Sequence, residues 1–131
     1  MEKEGAGRKV LVVDDKPESI RLVKKVLEAR GYKIIETQTG EGAINSAQTE
    51  LPDLILMDVR MPGGIDGLEA TRRIKAMPQL AHIPIAAMTA SVRPEDMQLA
   101  LDAGCVAFIR KPVDIDELPK QVAQYIAQAG A

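Results

Sequence analysis

The sequence predicts an α/β fold in which a doubly wound, five-stranded parallel sheet carries helices on both faces. Five short and mostly continuous apolar runs are typical of strands buried on both sides. They lie at residues 10–13, 34–35, 54–57, 83–88 and 106–109. Segments with helical spacing separate them, and this alternation favours right-handed crossovers between parallel strands. With 131 residues, 46% hydrophobic and 2% aromatic, the chain fits one domain with an aliphatic core.

The first two helices are bounded by proline and glycine. The first is predicted to begin at Pro17, a favoured first helical residue, and to stop at Gly31. Its apolar face is spaced at i, i+3 and i+7: Ile20, Val23 and Leu27. The second helix, over residues 41–50, is more weakly amphipathic and is closed by Pro52. Both helices therefore have defined ends in the sequence.

The third and fourth helices follow the same logic. The third is predicted from about residue 68 to 77, and Pro78 terminates it. The fourth begins at Pro94 and ends before Gly104. Glu95 and Asp96 occupy its first turn, where negative charge is favoured by the helix dipole.

The start of the fifth helix is open between two aspartates. Asp114 and Glu117 have capping-box spacing, but a start there places Pro119 one residue inside the hydrogen-bonded ladder. A cap at Asp116 instead puts Pro119 in the first turn, where no backbone bond is lost. The sequence favours this later start. The apolar positions of the helix are Leu118, Val122, Tyr125, Ile126 and Ala129.

Composition excludes several classes of function. A net charge of −2, from 17 basic and 19 acidic residues, gives no field that attracts nucleic acid. The first residues lack the apolar stretch of a signal peptide, and no run approaches the roughly 20 residues of a membrane span. A single cysteine, Cys105, fits a reducing compartment. We expect a cytoplasmic protein without membrane contact: a flexible tail at 1–8 and one domain at 9–131, with no output domain.

Three carboxylates and one lysine stand at the ends of the apolar runs. Asp14 and Asp15 follow residues 10–13, Asp58 follows 54–57, and Lys111 comes just after Ile109. Each alone could be a helix cap or a solvated loop residue. Parallel strands, however, bring their carboxyl ends to one edge of the sheet, where open α/β sheets bind ligands. Like charges about 4 Å apart repel by about 4 kcal/mol at an effective dielectric near 20, so a cation is expected among them.

Four motifs in order carry a resemblance to a known family. They are Val12-Val13-Asp14-Asp15, Met57-Asp58-Val59-Arg60-Met61-Pro62, Met88-Thr89-Ala90 and Phe108-Ile109-Arg110-Lys111-Pro112. From about residue 9 to 127 the chain resembles the CheY-like receiver domains of response regulators in two-component signalling. The resemblance implies a sheet of order 2-1-3-4-5. It also implies a phosphoryl-accepting switch, with self-phosphorylation and autodephosphorylation as its only reactions.

The same resemblance assigns the site residues. Asp58 would accept the phosphoryl group from a phosphohistidine on a histidine kinase or histidine phosphotransfer protein. Mg²⁺ would be held by the side chains of Asp15 and Asp58, by the backbone carbonyl of Arg60, and by Asp14 through water. Oxygen ligands and retained waters are what Mg²⁺ prefers. Lys111 would stabilise the phosphoryl oxygens, since phosphoryl transfer needs mainly alignment and charge neutralisation.

A switch is implied beyond the site. The Thr89 hydroxyl would turn towards a phosphoryl oxygen, and Phe108 would rotate inward into the space that it leaves. These movements would connect the site to a face formed by the fourth helix, fifth strand and fifth helix, where a downstream protein would dock. The resemblance further implies a cis peptide bond between Lys111 and Pro112.

Two features depart from the family pattern. The loop Met61-Pro62-Gly63-Gly64-Ile65-Asp66-Gly67 is one residue longer than usual, so we expect it to be looser or reshaped. The carbonyl of Arg60 precedes the insertion and should keep its place. Many relatives carry tyrosine where this chain has Phe108, which lacks a hydroxyl and can mark the two states only by packing.

Three alternatives remain for comparison. A phosphatase or dehalogenase with an aspartate nucleophile usually has a second acid where this chain has Lys16, and it adds a cap domain. A flavodoxin-like electron carrier needs a Ser/Thr-rich phosphate loop and flanking aromatics. The presence of all three aspartates, Asp14, Asp15 and Asp58, argues against a pseudo-receiver that takes no phosphate. A measurement of Mg²⁺ affinity would distinguish the two. The domain either stands alone or is excised from a longer regulator or hybrid kinase.

Overall fold

The computed structural model describes residues 5–130 and has the predicted alternation of strands and helices. Its elements are β1 (Lys9–Val13), α1 (Pro17–Glu28), β2 (Lys33–Thr37), α2 (Gly40–Glu50), β3 (Leu54–Asp58), α3 (Gly67–Lys75), β4 (Ile85–Thr89), α4 (Pro94–Ala103), β5 (Ala107–Arg110) and α5 (Glu117–Ala129). The strands form one parallel sheet in the order β2-β1-β3-β4-β5. The predicted fold class and strand order are confirmed.

The hydrophobic core lies in two layers, one on each face of the sheet. Successive side chains of a strand point to opposite faces, so Val10 and Val12 join one cluster while Leu11 and Val13 join the other. The first cluster packs under α1 and α5, and the second packs under α2, α3 and α4. Because both faces are covered, the carboxyl edge of the sheet is left for polar side chains.

Burial differs between the central and the edge strands. The side chains of β3 and β4 are buried throughout, as are the apolar residues of β1. In β2, Ile34 and Ile35 are only half-buried. In the last run, Phe108 of β5 is half-buried and Val106, just before the strand, is 60% exposed. The expectation that all five runs are buried on both faces is therefore wrong for the two edges. An edge strand has a neighbour on one side only, so its neighbouring layers cover it less completely.

Helix starts agree with the sequence better than helix ends. α1 begins at Pro17 and α4 at Pro94, as predicted. α1 ends at Glu28 rather than at Gly31, because residues 29–31 already form a turn. α4 ends at Ala103, as predicted, and its C-cap Gly104 has a φ of 117°, a left-handed conformation that glycine adopts without strain.

α5 begins at Glu117, which confirms the later of the two predicted starts. The capping oxygen, however, comes from the other candidate. The Asp116 side chain makes no capping bond, whereas Asp114 Oδ1 accepts from the amides of Asp116 at 2.9 Å and Glu117 at 3.1 Å. The alternatives are thus combined: the helix starts late and the earlier aspartate caps it.

The segment predicted as a flexible tail is in part packed against the domain. Residues 1–4 lie outside the described residues. Gly5 donates its amide to the Arg30 carbonyl at 2.8 Å, and the ring of Tyr32 lies against the Gly5 backbone. Arg8 closes a turn by donating its amide to the Gly5 carbonyl. Sequence alone could not associate residues 5–8 with the turn after α1, and the flexibility of the tail stays a prediction. Within residues 5–130, no helix has the length and apolarity needed to cross a bilayer.

Candidate functional site

Three carboxylates converge at the carboxyl edge of the sheet. β1 and β3 are neighbours, with Val13 paired in register with Met57, so the residues that follow these positions lie side by side. One oxygen from each of Asp14, Asp15 and Asp58 lies within 4.8 Å of the others. Asp14 is fully buried and Asp58 is 4% exposed. We refer to these three residues as the acidic trio.

Lys111 supplies positive charge to the acidic trio. Its Nζ lies 2.7 Å from Asp14 Oδ2 and 3.6 Å from Asp58 Oδ2. The backbone brings it there from the end of β5, where the Lys111 amide donates to the Thr89 carbonyl at 2.8 Å. The following bond to Pro112 is cis, as the sequence resemblance implies. One ammonium beside three carboxylates leaves the site with excess negative charge.

The Asp58 carboxylate is almost completely shielded from solvent. Its Oδ1 accepts a hydrogen bond from the Arg60 amide at 3.1 Å, and its Oδ2 faces Lys111. Burial is the largest influence and raises the pKa of Asp58 to about 6. This value includes the lowering effects of the Arg60 amide and the Lys111 ammonium and the smaller raising effects of the Asp14 and Asp15 charges. The ionised form of Asp58 would therefore be stabilised by an added cation.

Asp14 and Asp15 differ in how their oxygens are satisfied. Asp14 Oδ1 accepts from the Lys16 amide at 3.0 Å, and its Oδ2 accepts from Lys111, so protein groups occupy both oxygens. Asp15 Oδ1 is buried and has no hydrogen-bond partner among the described residues. A buried acceptor without a partner is costly and calls for an explanation such as an ion. Clustered carboxylate oxygens are suitable ligands for a hard divalent cation such as Mg²⁺.

Of the two residues of the predicted switch, Thr89 follows the strand position next to Asp58, and Phe108 lies on β5, one strand further out. Asp58 is paired in register with Met88, so Thr89 lies one residue further along β4. The Thr89 hydroxyl donates to the Ser91 carbonyl and accepts from the Ser91 amide, both at 3.0 Å. Phe108 is half-buried and lines, together with Thr89, a cavity of about 110 Å³ next to α4. Ser91 had no role in the sequence analysis, although a hydroxyl two residues after Thr89 was a possible signal.

Comparison with models of known protein families identifies the family of this chain. The model of the response regulator receiver domain matches residues 10–123 of this chain. The chain belongs to the response regulator receiver family. It is therefore a domain of the kind that serves two-component systems, and phosphoryl acceptance is general to that family.

Individual relatives agree with this assignment. The receiver domain is 34% identical over 122 residues to the polar-differentiation response regulator DivK of Brucella ovis, covering 93% of this chain and 98% of DivK. It superimposes on the chemotaxis protein CheY4 of Vibrio cholerae with a TM-score of 0.86 at 29% identity, covering 92% and 99% of the two chains.

A third relative was solved with a metal. It is the receiver domain of a sensor histidine kinase from Pseudomonas aeruginosa PAO1, with a TM-score of 0.85, 34% identity and coverage of 93% of this chain and 99% of that one. Its structure has a magnesium ion coordinated in the active site cleft. The acidic trio of the present receiver domain is compatible with the same ion.

The start of α3 packs directly on the backbone of the site. A Cβ on Gly67 would lie 2.0 Å from the carbonyl oxygen of Asp58, so only glycine permits this approach. Asp66 caps the helix by accepting from the Glu69 amide at 2.8 Å. Gly67 thus has a positional role that the sequence analysis did not assign, although an aspartate followed by glycine at a helix start is a recognisable signal.

The inserted residue in the loop between β3 and α3 is accommodated by two left-handed glycines. Gly63 and Gly64 have φ angles of 77° and 73°. The loop contacts the first turn of α2, where Glu41 Oε2 accepts from the Ile65 amide at 3.4 Å. The loop is thus reshaped and docked. Arg60 precedes it and keeps its amide bond to Asp58, while Glu41 was not identified from the sequence.

Proposed function

We propose that this receiver domain accepts a phosphoryl group on Asp58 from a phosphohistidine donor in the presence of Mg²⁺. The observation that carries the proposal is the acidic trio itself, with the Lys111 ammonium 3.6 Å from Asp58 and a buried oxygen on Asp15 that has no hydrogen-bond partner within residues 5–130. Asp58 is nearly buried but keeps a hydrogen-bonded carboxylate at the edge of the sheet. A carboxylate in such a position is a suitable nucleophile.

The transfer itself needs one nucleophile and no general base. A carboxylate oxygen of Asp58 attacks phosphorus, a P–O bond forms, and the P–N bond of the phosphohistidine breaks. The electron pair of that bond stays on the imidazole nitrogen of the donor, which takes a proton from solvent. With a pKa of about 6, Asp58 is largely ionised at neutral pH and has no proton to lose.

The residues around Asp58 would orient its carboxylate and neutralise the charge of the phosphoryl group. The carboxylates of Asp15 and Asp58 and the carbonyl of Arg60 would hold Mg²⁺, with Asp14 acting through water, and the ion would neutralise charge on the phosphoryl oxygens. The Arg60 amide fixes one Asp58 oxygen, which leaves the other to react. Lys111 would release part of its contact with Asp14 and follow the negative charge that arrives at Asp58.

We further propose a protein partner on each side of the reaction. The donor is a histidine kinase or histidine phosphotransfer protein, and the target docks on the face formed by α4, β5 and α5. Leu101 of α4 is about half exposed, so this helix offers apolar surface to a partner. Thr89 and Phe108 would connect Asp58 to that face. The cytoplasmic location and the absence of nucleic-acid binding remain predictions from the sequence.

Labelling with a small phosphodonor tests the proposal. Acetyl phosphate with Mg²⁺ should add one phosphoryl group, detected by intact mass spectrometry and mapped to Asp58. Asp58→Asn should abolish the label, whereas Asp102→Asn, on the exposed side of α4, should keep it. Labelling that is independent of Mg²⁺, or that persists in Asp58→Asn, would contradict the proposal. A pseudo-receiver would show neither labelling nor Mg²⁺ binding.

A further inference from the structure

The donor proton of the Thr89 hydroxyl is already engaged. It donates its proton to the Ser91 carbonyl and accepts from the Ser91 amide, both at 3.0 Å. A threonine hydroxyl has only one proton to donate. Thr89 therefore cannot donate to a phosphoryl oxygen on Asp58 until it gives up the Ser91 carbonyl. Whatever stabilises the backbone at Ser91 opposes the change.

Ser91 is in turn bonded to the start of α4. Its Oγ donates to Asp96 Oδ2, and Asp96 Oδ2 also accepts from Arg93 Nε at 3.0 Å. The Arg93 amide makes a longer bond of 3.4 Å back to the Ser91 hydroxyl. Asp96 lies in the first turn of α4. Thr89, residues 91–93 and the N-terminus of α4 thus form one hydrogen-bonded unit.

The charge of Asp96 strengthens this unit. The Ser91 hydroxyl and then the Arg93 guanidinium lower the pKa of Asp96, so the carboxylate is ionised at neutral pH. Hydrogen bonds to an ionised acceptor are stronger than neutral ones. The neighbouring Glu95 offers a contrast: it lies in the same turn, and its one ion pair among the described residues is with Arg93, at 3.7 Å.

We propose that Ser91 and Asp96 are positioning residues that restrain Thr89 in its unphosphorylated arrangement. The bond between them holds the Ser91 backbone, and this backbone holds the Thr89 hydroxyl away from Asp58. Because Asp96 belongs to α4, release of Thr89 also frees the start of that helix. The inference rests on the proposed phosphoryl acceptance and adds the group that opposes the switch.

Affinity for a phosphoryl mimic measures this restraint. Beryllofluoride with Mg²⁺ occupies a phosphoacceptor aspartate, and its dissociation constant includes the free energy needed to release Thr89. Removing one charge-assisted hydrogen bond should tighten binding by about 3- to 10-fold in Ser91→Ala and in Asp96→Ala. The double variant should gain little more than either single one, because both changes break the same bond. Glu95→Ala should bind like the unaltered protein.

Amide spectra supply a second readout that a purely structural role would not change. In Ser91→Ala and Asp96→Ala, the amide signals of Thr89, residue 91 and the first turn of α4 should move, without beryllofluoride, towards their positions in the beryllofluoride-bound protein. Thermal unfolding of each variant separates this shift from a general loss of stability.

The outcomes separate the two proposals. If the unaltered protein fails to bind beryllofluoride, the proposed function is wrong. If it binds, but Ser91→Ala and Asp96→Ala bind equally tightly, the restraint is refuted and phosphoryl acceptance stands. Equal tightening by Glu95→Ala and Asp96→Ala would also refute it, because a general charge effect would then account for the change.

Discussion

Asp58 is ionised at neutral pH in surroundings that disfavour its charge. Its pKa is raised to about 6, mainly by burial and to a smaller extent by the two other carboxylates of the acidic trio. Lys111 and the Arg60 amide compensate only in part. The most reactive residue of the site is therefore also one that opposes folding when no cation is bound, which is a frequent property of functional sites.

Replacement of Asp58 by asparagine should stabilise the metal-free protein at pH 7. The folded-state pKa of about 6 lies above the ordinary value of 3.8, so the destabilisation is fully present above pH 6 and is relieved as pH falls towards 4. The gain at pH 7 should be about 1–3 kcal/mol. Urea unfolding of both proteins between pH 4 and 8 measures it. A stability difference that grows as the pH falls would contradict the raised pKa.

Lys111 should matter to stability as well as to chemistry. Lys111→Met leaves Asp14, which is 1% exposed at its side chain, without its ion pair, and we expect a loss of about 2–4 kcal/mol in metal-free buffer. Added Mg²⁺ should recover more stability in this variant than in the unaltered protein, because both cations neutralise the same carboxylates. Chemical denaturation with and without Mg²⁺ tests this.

Lys16→Met is the matched control for that experiment. Lys16 contributes only its backbone amide to Asp14, and its side chain is exposed. Its stability should stay within about 0.5 kcal/mol of the unaltered protein. An equal loss in both variants would show that net charge, and not the buried ion pair, determines the effect.

Among the elements, the loop between β3 and α3 shows how a longer connection is accepted beside a site. Two consecutive glycines in the left-handed region turn the chain, and Glu41 in the first turn of α2 holds the Ile65 amide. The Ile65 side chain also lies against Gly40, the first residue of α2. α2 therefore supports a loop that begins just after the Arg60 carbonyl.

Alanine substitutions in this loop should distinguish conformation from contact. Gly63→Ala should cost about 1 kcal/mol, because alanine is strained at positive φ and nothing lies within 4 Å of the new Cβ. Gly64→Ala should cost more, since its Cβ would also lie 2.8 Å from a Glu41 carboxylate oxygen. In a Glu41→Ala background the two costs should become equal, as measured by thermal unfolding. A persistent difference there would show that Glu41 does not cause it.

At the scale of the whole molecule, the sequence predicted the features that follow from the order of strands and helices along the chain. Alternating apolar runs and helical segments gave the sheet, and the placement of Asp14, Asp58 and Lys111 after strands predicted a shared edge. It missed contacts between segments that only the folded chain brings together. Examples are the bond from the Ile65 amide of the inserted loop to Glu41 of α2, the turn of residues 5–8 and the Ser91 bond to Asp96, because contacts between distant segments leave no periodic signal.

Titration of the metal-free protein with Mg²⁺, followed by backbone amide NMR, tests the central claim most directly. We predict saturable shifts that begin at residues 14, 15 and 58–60 and are lost in Asp15→Asn, since Asp15 carries the buried oxygen that lacks a partner among the described residues. Absence of saturable shifts at this edge of the sheet, or an unchanged response in Asp15→Asn, would contradict the assignment of the acidic trio as a magnesium-dependent phosphoacceptor site.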